Sequence, residues 1–365
     1  MIIDAHAHIF PDKISRAAVR GISEFYDIPI PYDGTAETLI SLGAQAGVTR
    51  FIVQSVATVP EQVPSINRFI AQSVSEHPDA LIGFMALHPD FPDIQGALSN
   101  AAQDGLKGIK LHPDFQQFCI DDPRAYPIYE AAGDRFPILM HMGDTRYPYS
   151  KPERLAKVLD DFPKLRVIAA HFGGWSEWDD AEKYLKGQRV WVDSSSTSHW
   201  VSGQRLRELI AFYGPDHVLF GTDYPMWNHA DERAALERLG LPPAVMEQIL
   251  YKNAEALHPP LDTNPSHSIL FTETVLDAVF YQWLQNNFDR LNVQNGRINI
   301  IDDLKGIWEP YLLYRNIAFH VFQLFRYGDH RIAFMQANAK ESGKRADHPF
   351  DFRLILQFCH PRHRV

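Results

Sequence analysis

Eight short β-rich runs alternate with amphipathic stretches over the first 258 residues, and this alternation constrains the fold more than any other feature of the sequence. Strands that alternate with helical stretches indicate βα units and a parallel sheet. Eight such units in about 255 residues predict a (β/α)8 barrel of the TIM type. An open, doubly wound sheet is the alternative, but its glycine fingerprint is missing after the first run. The runs are residues 1–8, 50–56, 81–88, 106–112, 137–141, 166–171, 189–195 and 217–223.

Ionisable side chains stand where five of these predicted strands end. The carboxyl ends of the strands form the active-site face of such a barrel, so these side chains are expected to converge on one mouth. Because side chains alternate between faces along a strand, His171 is expected to share a face with Val167 and Ala169. The strand-end residues are His6, His8, Lys110, His112, His141, His171 and Asp223.

Two of these histidines, His6 and His8, lie one residue apart and point to the same face of an extended strand. Taken alone, the pair has a chance explanation, because the chain contains 17 histidines, and a lone buried histidine is more often a hydrogen-bonded core residue than a ligand. With His141 and Asp223 the pair predicts imidazole and carboxylate ligands for a divalent ion that keeps a position open for water. Zinc is the first candidate, and manganese, iron, nickel and cobalt are alternatives.

The ordered motifs DAHAH, GIKLHP, HMG, AHFGG, GTDYP and NAEAL resemble those of the amidohydrolase superfamily. The resemblance is to the amidohydrolase-related branch, which includes aminocarboxymuconate-semialdehyde decarboxylase-like enzymes, and it extends from residue 1 to about 258. It implies a metal-dependent barrel in which His6 and His8 are first-strand ligands. His141 then corresponds to the fifth-strand ligand and Asp223 to the eighth-strand ligand. His171 corresponds to a histidine that handles protons or polarises substrate in one-metal members and binds a second ion in two-metal members.

Lys110 faces the predicted mouth from the fourth strand. Burial lowers the pKa of a lysine, and a neutral amine can take up carbon dioxide as a carbamate. Some members of the superfamily use such a modified lysine to bridge two metal ions, so one or two ions are expected here. Alternatively, Lys110 is a cation that pairs with Asp223 or holds a substrate carboxylate.

Metal-dependent hydrolysis is the main functional prediction. Metal-activated water would attack a carbon–nitrogen or ester carbon, with Asp223 and His171 as the catalytic residues that move the proton and stabilise the oxyanion. A non-oxidative decarboxylase on the same scaffold is the alternative. A non-catalytic binding or assembly protein that uses the C-terminal extension is a second alternative.

Four residues near the strand ends are predicted to bind the substrate, namely His112 and the loop residues Arg146, Trp175 and Trp227. Loops after the strands set substrate choice in such barrels, and these side chains would give an aromatic-walled pocket for a small organic, carboxylated or aromatic molecule. Loop packing explains each loop residue equally well. Ser176 is further expected to cap a helix and Gly214 to end one.

Composition restricts the partners and the compartment. A net charge of −10 argues against nucleic acid, which is bound through clustered Lys and Arg. No stretch approaches the ~18 apolar residues that a membrane span requires. With two cysteines the chain has no disulfide framework, so a reducing cytoplasm is expected. A small-molecule substrate is the expected partner, and a homo-oligomer is a further possibility.

Three domains are predicted along the chain. Residues 1–258 form the barrel, the proline-rich segment 259–268 is a linker, and residues 269–365 are a mainly helical extension of unknown role. Apolar residues recur at helical spacing in 274–288 and in 312–327, so both segments are predicted to be packed helices.

Overall fold

The computed structural model describes residues 1–257, 317–327, 330–339 and 356–357 of the chain. Its contacts divide the chain into two units, Met1–Leu261 and Asp262–Val365. The boundary between the units falls inside the predicted linker 259–268. That linker and the predicted helix at 274–288 lie outside the described residues.

Eight parallel strands form the sheet of the first unit, and each strand pairs with the next in chain order. Backbone hydrogen bonds join the first strand to the chain that follows the eighth, from Ala5 N to Phe220 O at 2.8 Å and from Asp223 N to His6 O at 2.8 Å. The predicted (β/α)8 barrel is therefore confirmed. The strands are β1 (Ile3–His8), β2 (Arg50–Gln54), β3 (Leu81–Ala86), β4 (Gly108–Leu111), β5 (Ile138–Met140), β6 (Val167–Ala169), β7 (Trp191–Asp193) and β8 (Val218–Leu219).

Helices lie between and after the strands of this unit. Gly214 ends one of them with φ of 85°, a left-handed value that glycine adopts without strain, as the sequence predicts. The predicted cap at Ser176 is wrong, because its hydroxyl instead donates to Gly143 O at 2.9 Å and the helix begins at Trp178. The helices are α1 (Asp12–Tyr26), α2 (Ala36–Gln45), α3 (Val63–Glu76), α4 (Ile94–Gln103), α5 (Pro113–Gln116), α6 (Tyr126–Ala132), α7 (Pro152–Asp161), α8 (Trp178–Tyr184), α9 (Gly203–Tyr213), α10 (His229–Glu237), α11 (Pro243–Glu247) and α12 (Asn253–Leu257).

Two apolar layers hold the barrel together. The larger layer lies between the sheet and the helices, and the smaller one fills the barrel interior, as is usual for this fold. Because apolar side chains fill the interior, the polar residues that the strands carry are gathered at the mouth. The interior residues include Ile3, Ala5, Ile52, Phe84, Leu139, Ile168 and Leu219.

In the second unit, β9 (Ile317–Tyr327) pairs antiparallel with β10 (His330–Ala339), which also pairs with β11 (Leu356–Gln357). The predicted helix at 312–327 is therefore wrong over Ile317–Tyr327. That segment is rich in aromatic and β-branched residues, which favour strands. The Gly-Asp pair that follows Tyr327 in the sequence is typical of a two-residue hairpin connection. The helical spacing of apolar residues in Ile317–Tyr327 is uninformative, because most positions of this segment are apolar.

Among the described residues, no helix combines the length and the apolar character that crossing a bilayer requires.

Candidate metal centre

His6, His8 and Asp223 converge at the mouth of the barrel. Their potential ligand atoms lie within 4.8 Å of one another. The two imidazole Nε2 atoms are 3.3 Å apart, and Asp223 Oδ1 lies 3.4 Å from the first and 3.6 Å from the second. Side chains placed at opposite ends of the barrel sequence thus meet within the reach of one ion.

A register shift in β1 places both histidines in the mouth. The shift lies between Asp4 and Ala7, and it allows Ile3 and Ala5 to belong to the interior layer while Ala7 belongs to the outer one. Such bulges change the direction of side chains next to active sites. The HxH spacing alone predicts that the histidines share a face, and the bulge decides which face it is.

Three residues at the mouth adopt left-handed backbone conformations that are uncommon for non-glycine residues. The φ values are 59° at His171, 59° at Ser196 and 58° at Asp223. Conformations of this kind cost free energy and cluster at functional sites. At Asp223 the surrounding structure maintains the conformation, since its backbone NH donates to His6 O and its Oδ2 accepts from Ser196 Oγ at 3.0 Å.

Burial keeps the first-strand imidazoles neutral. Desolvation and then the nearby Lys110 cation lower the pKa of His6 and of His8 well below the ordinary value. Neutral imidazole is the form that binds metal, so no proton has to leave at pH 7.

Lys110 lies beside the three converging residues. It is 1% exposed, and its Nζ is 2.9 Å from His6 Nε2. Burial lowers its pKa to about 8, against the raising effect of Asp223 and Asp193. The position agrees with each of the roles predicted for Lys110, and its carbamate form stays a prediction.

The predicted fifth-strand ligand, His141, belongs to a neighbouring group with His112 and Asp114. Its Nε2 lies 3.4 Å from Asp114 Oδ2, but this buried atom makes no hydrogen bond to the described part of the chain. The rings of His112 and His141 stack with centroids 3.9 Å apart. The structure therefore gathers three of the four predicted ligands in one group and places the fourth in the adjacent one.

His171 belongs to a third candidate group with His6 and Asp193. Its Nε2 is 3.2 Å from His141 Nδ1, its Nδ1 is 2.9 Å from Ser195 Oγ, and its ring stacks on that of His6 at 5.2 Å. Desolvation lowers its pKa to about 4. Both ring nitrogens thus have partners within the protein, an arrangement that suits a positioning role or a second ion.

Asp193, at the end of β7, is a site residue that the sequence reasoning missed. Its Oδ2 is 3.0 Å from His6 Nδ1, and its Oδ1 accepts the backbone NH of His171 at 3.1 Å and the hydroxyl of Ser195. A carboxylate on the far nitrogen of a metal-binding imidazole orients the ring and increases its basicity. A signal was available in the sequence, since Asp193 lies near the carboxyl end of the predicted strand 189–195.

Tyr26 and Asp114 were missed as well. Tyr26, the last residue of α1, has its hydroxyl 3.0 Å from His112 Nε2. Burial raises the pKa of Asp114 to about 7, although Ser150 donates a hydrogen bond of 2.7 Å to its Oδ2. Neither residue belongs to a strand-end pattern, because both lie on helices that cover the mouth.

A cavity of about 730 Å³ opens onto these groups. Its wall includes the metal-ligand candidates, and aromatic side chains stand next to them. Phe25 packs edge-on against Tyr26 at 4.8 Å and against Phe115 at 4.6 Å. The imidazole, ammonium and carboxylate groups of the lining belong to His6, His8, Lys110, His112, Asp114, His141 and Asp223.

Among the predicted substrate-binding residues, His112 lines this cavity and the three loop residues are absent from its described lining. Arg146 forms a bidentate ion pair with Asp144, with its NH2 group 2.7 Å from Oδ2. Trp175 packs against Tyr26 at 5.1 Å from outside the lining. Trp227 stacks on His199 at 3.5 Å. Substrate contact by these three residues stays a prediction, and the structure gives each of them a packing role.

The donor set fits a divalent ion of intermediate hardness. Imidazole and carboxylate ligands without thiolate suit zinc, manganese, iron, cobalt and nickel. The unpartnered buried Nε2 of His141 and the close approach of His6 Nε2 to His8 Nε2 are also what an ion between such atoms would relieve. Metal binding by this site is therefore chemically reasonable, and the donors do not choose between zinc and manganese.

Comparison with known proteins identifies the family of the barrel unit. The amidohydrolase family profile matches residues 3–259. No curated protein matches the chain.

Several solved structures have the same fold. An uncharacterised TIM-barrel protein from Bordetella bronchiseptica has a TM-score of 0.58 at 20% identity, covering 70% of this chain and 97% of its own. The 5-carboxyvanillate decarboxylase from Sphingomonas paucimobilis has a TM-score of 0.57 at 16% identity, covering 70% and 98%. A dihydroxybenzoic acid decarboxylase from Polaromonas sp. JS666, with bound manganese, has a TM-score of 0.55 at 17% identity, covering 70% and 96%. At these identities the likeness shows the fold.

Proposed function

Because the chain belongs to the amidohydrolase family over residues 3–259, we propose that it is a metal-dependent enzyme that removes carbon dioxide from an aromatic carboxylic acid without oxidation. The observation that carries this proposal is the cavity, in which a His–His–Asp group faces a wall of aromatic side chains. The 5-carboxyvanillate and dihydroxybenzoic acid decarboxylases with the same fold support it, and one of them holds manganese. Decarboxylation therefore ranks ahead of hydrolysis, which the sequence had favoured.

The aromatic wall would bind the ring of the substrate. Phe25, Tyr26 and Phe115 offer ring faces and edges beside the polar group, and aromatic pairs gain about 0.5–1.5 kcal/mol beyond their buried area. Lys110, whose pKa of about 8 leaves it mostly protonated at pH 7, would attract the substrate carboxylate. The cavity thus orients an acid with its ring towards the wall and its charge towards the barrel mouth.

A divalent ion held by His6, His8 and Asp223 would supply a Lewis acid for a substrate oxygen. When the carbon–carbon bond breaks, carbon dioxide departs and its bonding electron pair stays on the ring carbon, which then takes one proton. We assign that proton to Asp114, which lines the same cavity and whose pKa burial raises to about 7, because Asp223 Oδ1 would be occupied by the ion. The overall change consumes one proton and needs no oxidant.

Hydrolysis is the second candidate, and one feature favours it. Lys110 lies beside His6, and His141 lies 3.2 Å from His171, so a carbamate at Lys110 would stand between two sets of metal ligands. Such a two-ion site would suit attack by activated water on a lactone or an amide.

Product analysis on the purified full-length chain tests the proposal. The chain is loaded separately with Mn²⁺ and with Zn²⁺ and incubated with a panel of hydroxybenzoic acids, lactones and amides. Carbon dioxide release from an aromatic acid, lost on chelation and restored by metal, is the expected result. The His8→Ala variant is the matched control and should be inactive. Ring opening or amide cleavage without carbon dioxide would reverse the ranking of the two reactions.

A further inference from the structure

The cavity has a second end that a single-ring acid leaves unfilled. Its volume of about 730 Å³ lies in the upper part of the range of about 300–1,000 Å³ that buries drug-sized ligands. All charged residues of its described lining are at the barrel mouth, and the part contributed by α1, the loop after β2 and α3 has none. The apolar residues of this part, here called the apolar end, are Ile14, Ala18, Ile22, Val56, Ile66 and Phe69, and the uncharged polar residues Ser55, Thr58, Gln62 and Ser65 line the cavity beside them.

These apolar side chains are only partly covered. Ile14 is 53% exposed, and the other members of the apolar end are half-buried. Adjoining apolar surface left in contact with water is unfavourable, and such patches mark places where a ligand or a partner binds. Because this one continues into the cavity that holds the ionisable group, the geometry favours a ligand that reaches both ends.

Gly21 gives an independent indication of the space that this ligand needs. It lies within α1 and lines the cavity, although glycine in a helix interior is less stable than alanine. A Cβ atom at this position would meet no atom within 4 Å, so packing does not require glycine here. Gly21 is itself exposed, so a larger side chain at this position would extend over the open space beside the apolar end.

We propose that the apolar end binds an alkyl arm carried by the aromatic acid substrate, and that Gly21 determines specificity by keeping the path of that arm open. This inference rests on the proposed function for the ionisable end of the site. It assigns the substrate to the class of aromatic carboxylic acids with an alkyl substituent of several carbons.

A chain-length series tests the inference. The metal-loaded full-length chain is titrated by calorimetry with 4-alkylbenzoates from methyl to hexyl. Burial of one methylene supplies up to about a fourfold gain in affinity, so the dissociation constant should fall steadily along the series. In Gly21→Leu the gain should disappear, so that the methyl and hexyl compounds bind with similar affinity.

Ala17→Leu is the matched control, because Ala17 is exposed on the same helix and is not part of the described lining. It should retain the full gain with chain length. Ala18→Leu should also obstruct the apolar end, from a neighbouring position in the lining. It replaces Gly21→Leu in the test if circular dichroism shows that Gly21→Leu does not fold.

The outcomes separate this inference from the proposed function. A flat series with the wild-type chain, or an unchanged gain in Gly21→Leu and Ala18→Leu, would overturn the alkyl-arm inference even if hydroxybenzoates release carbon dioxide. If affinity rises with alkyl length in the wild-type chain and both Gly21→Leu and Ala18→Leu abolish this rise, the alkyl-arm inference is supported. If in addition no acid releases carbon dioxide, the decarboxylase assignment is refuted.

Discussion

Asp4 provides a sharp test of how the barrel positions its metal-ligand candidates. This fully buried carboxylate accepts hydrogen bonds from His6 N at 3.0 Å, Thr222 N at 3.1 Å, Thr222 Oγ1 at 2.6 Å and His229 Nε2 at 3.0 Å. It therefore joins β1 to the segment that carries Asp223 and to α10. Asp4→Ala is expected to destabilise the fold and to loosen the mouth.

The magnitude follows from the groups left without an acceptor. The hydroxyl of Thr222 can rotate, but the two backbone NH groups have no such freedom, and the NH of the buried His229 imidazole also loses its acceptor. Each buried donor left unpaired costs about 1–3 kcal/mol, so Asp4→Ala should lose about 4 kcal/mol of unfolding free energy. Asp4→Asn keeps an acceptor oxygen for both NH groups and should lose about 1 kcal/mol.

Urea denaturation followed by circular dichroism measures both variants against the wild-type chain without added metal. The reasoning predicts a difference of about 3 kcal/mol between the alanine and the asparagine variant, since only the alanine leaves the NH groups unpaired. Equal losses in the two variants, or a loss below about 1 kcal/mol in Asp4→Ala, would refute the assignment of stability to these bonds.

Three further expectations concern the metal and the domain boundary. His8→Ala and Asp223→Ala should each abolish tightly bound metal without altering the circular dichroism spectrum, and unchanged metal content after dialysis in both would contradict the ligand assignment. Asp193→Asn should weaken metal affinity by about 10–100-fold in a chelator competition. Asp179→Asn, at a side chain that is 98% exposed, is its control, and equal affinities would exclude a role for the carboxylate on His6. A chain ending at residue 261 should remain soluble and bind metal, because the closed sheet lies within Met1–Leu261; sedimentation and elemental analysis check this, and aggregation would show that residues 262–365 are needed.

The carboxyl ends of the predicted strands indicated where the candidate site lies, because the position of these ends depends only on the topology of the barrel. All eight parallel strands present their carboxyl ends to one mouth, so residues that follow the strand ends come close together there, while the bulge in β1 decides that His6 and His8 face the mouth. Side-chain parity was less dependable. Val167 and Ala169 belong to the outer layer rather than to the face of His171, so the shared face predicted for these three residues is wrong. His171 lies beyond the end of β6, and its φ of 59° redirects the chain.

The second unit shows a limit of periodicity. Over Ile317–Tyr327 nearly every spacing finds apolar residues, so a 3.6-residue period and a two-residue period both fit. The pairing of β9 with β10 depends on a second segment, and periodicity within a single segment does not take that partner into account. Aromatic and β-branched content would have been the better guide there.

The lining of the cavity was the hardest part to predict, for a physical reason. Conspicuous loop residues such as Arg146 and Trp227 suggested its wall, yet their charge and hydrogen-bonding groups are satisfied by Asp144 and Ser196. The wall instead comes from α1 and α3, whose cavity-lining side chains look in the sequence like ordinary apolar helix faces. Whether such a face packs on the sheet or remains partly open depends on how the helix lies over the mouth, which no local pattern encodes.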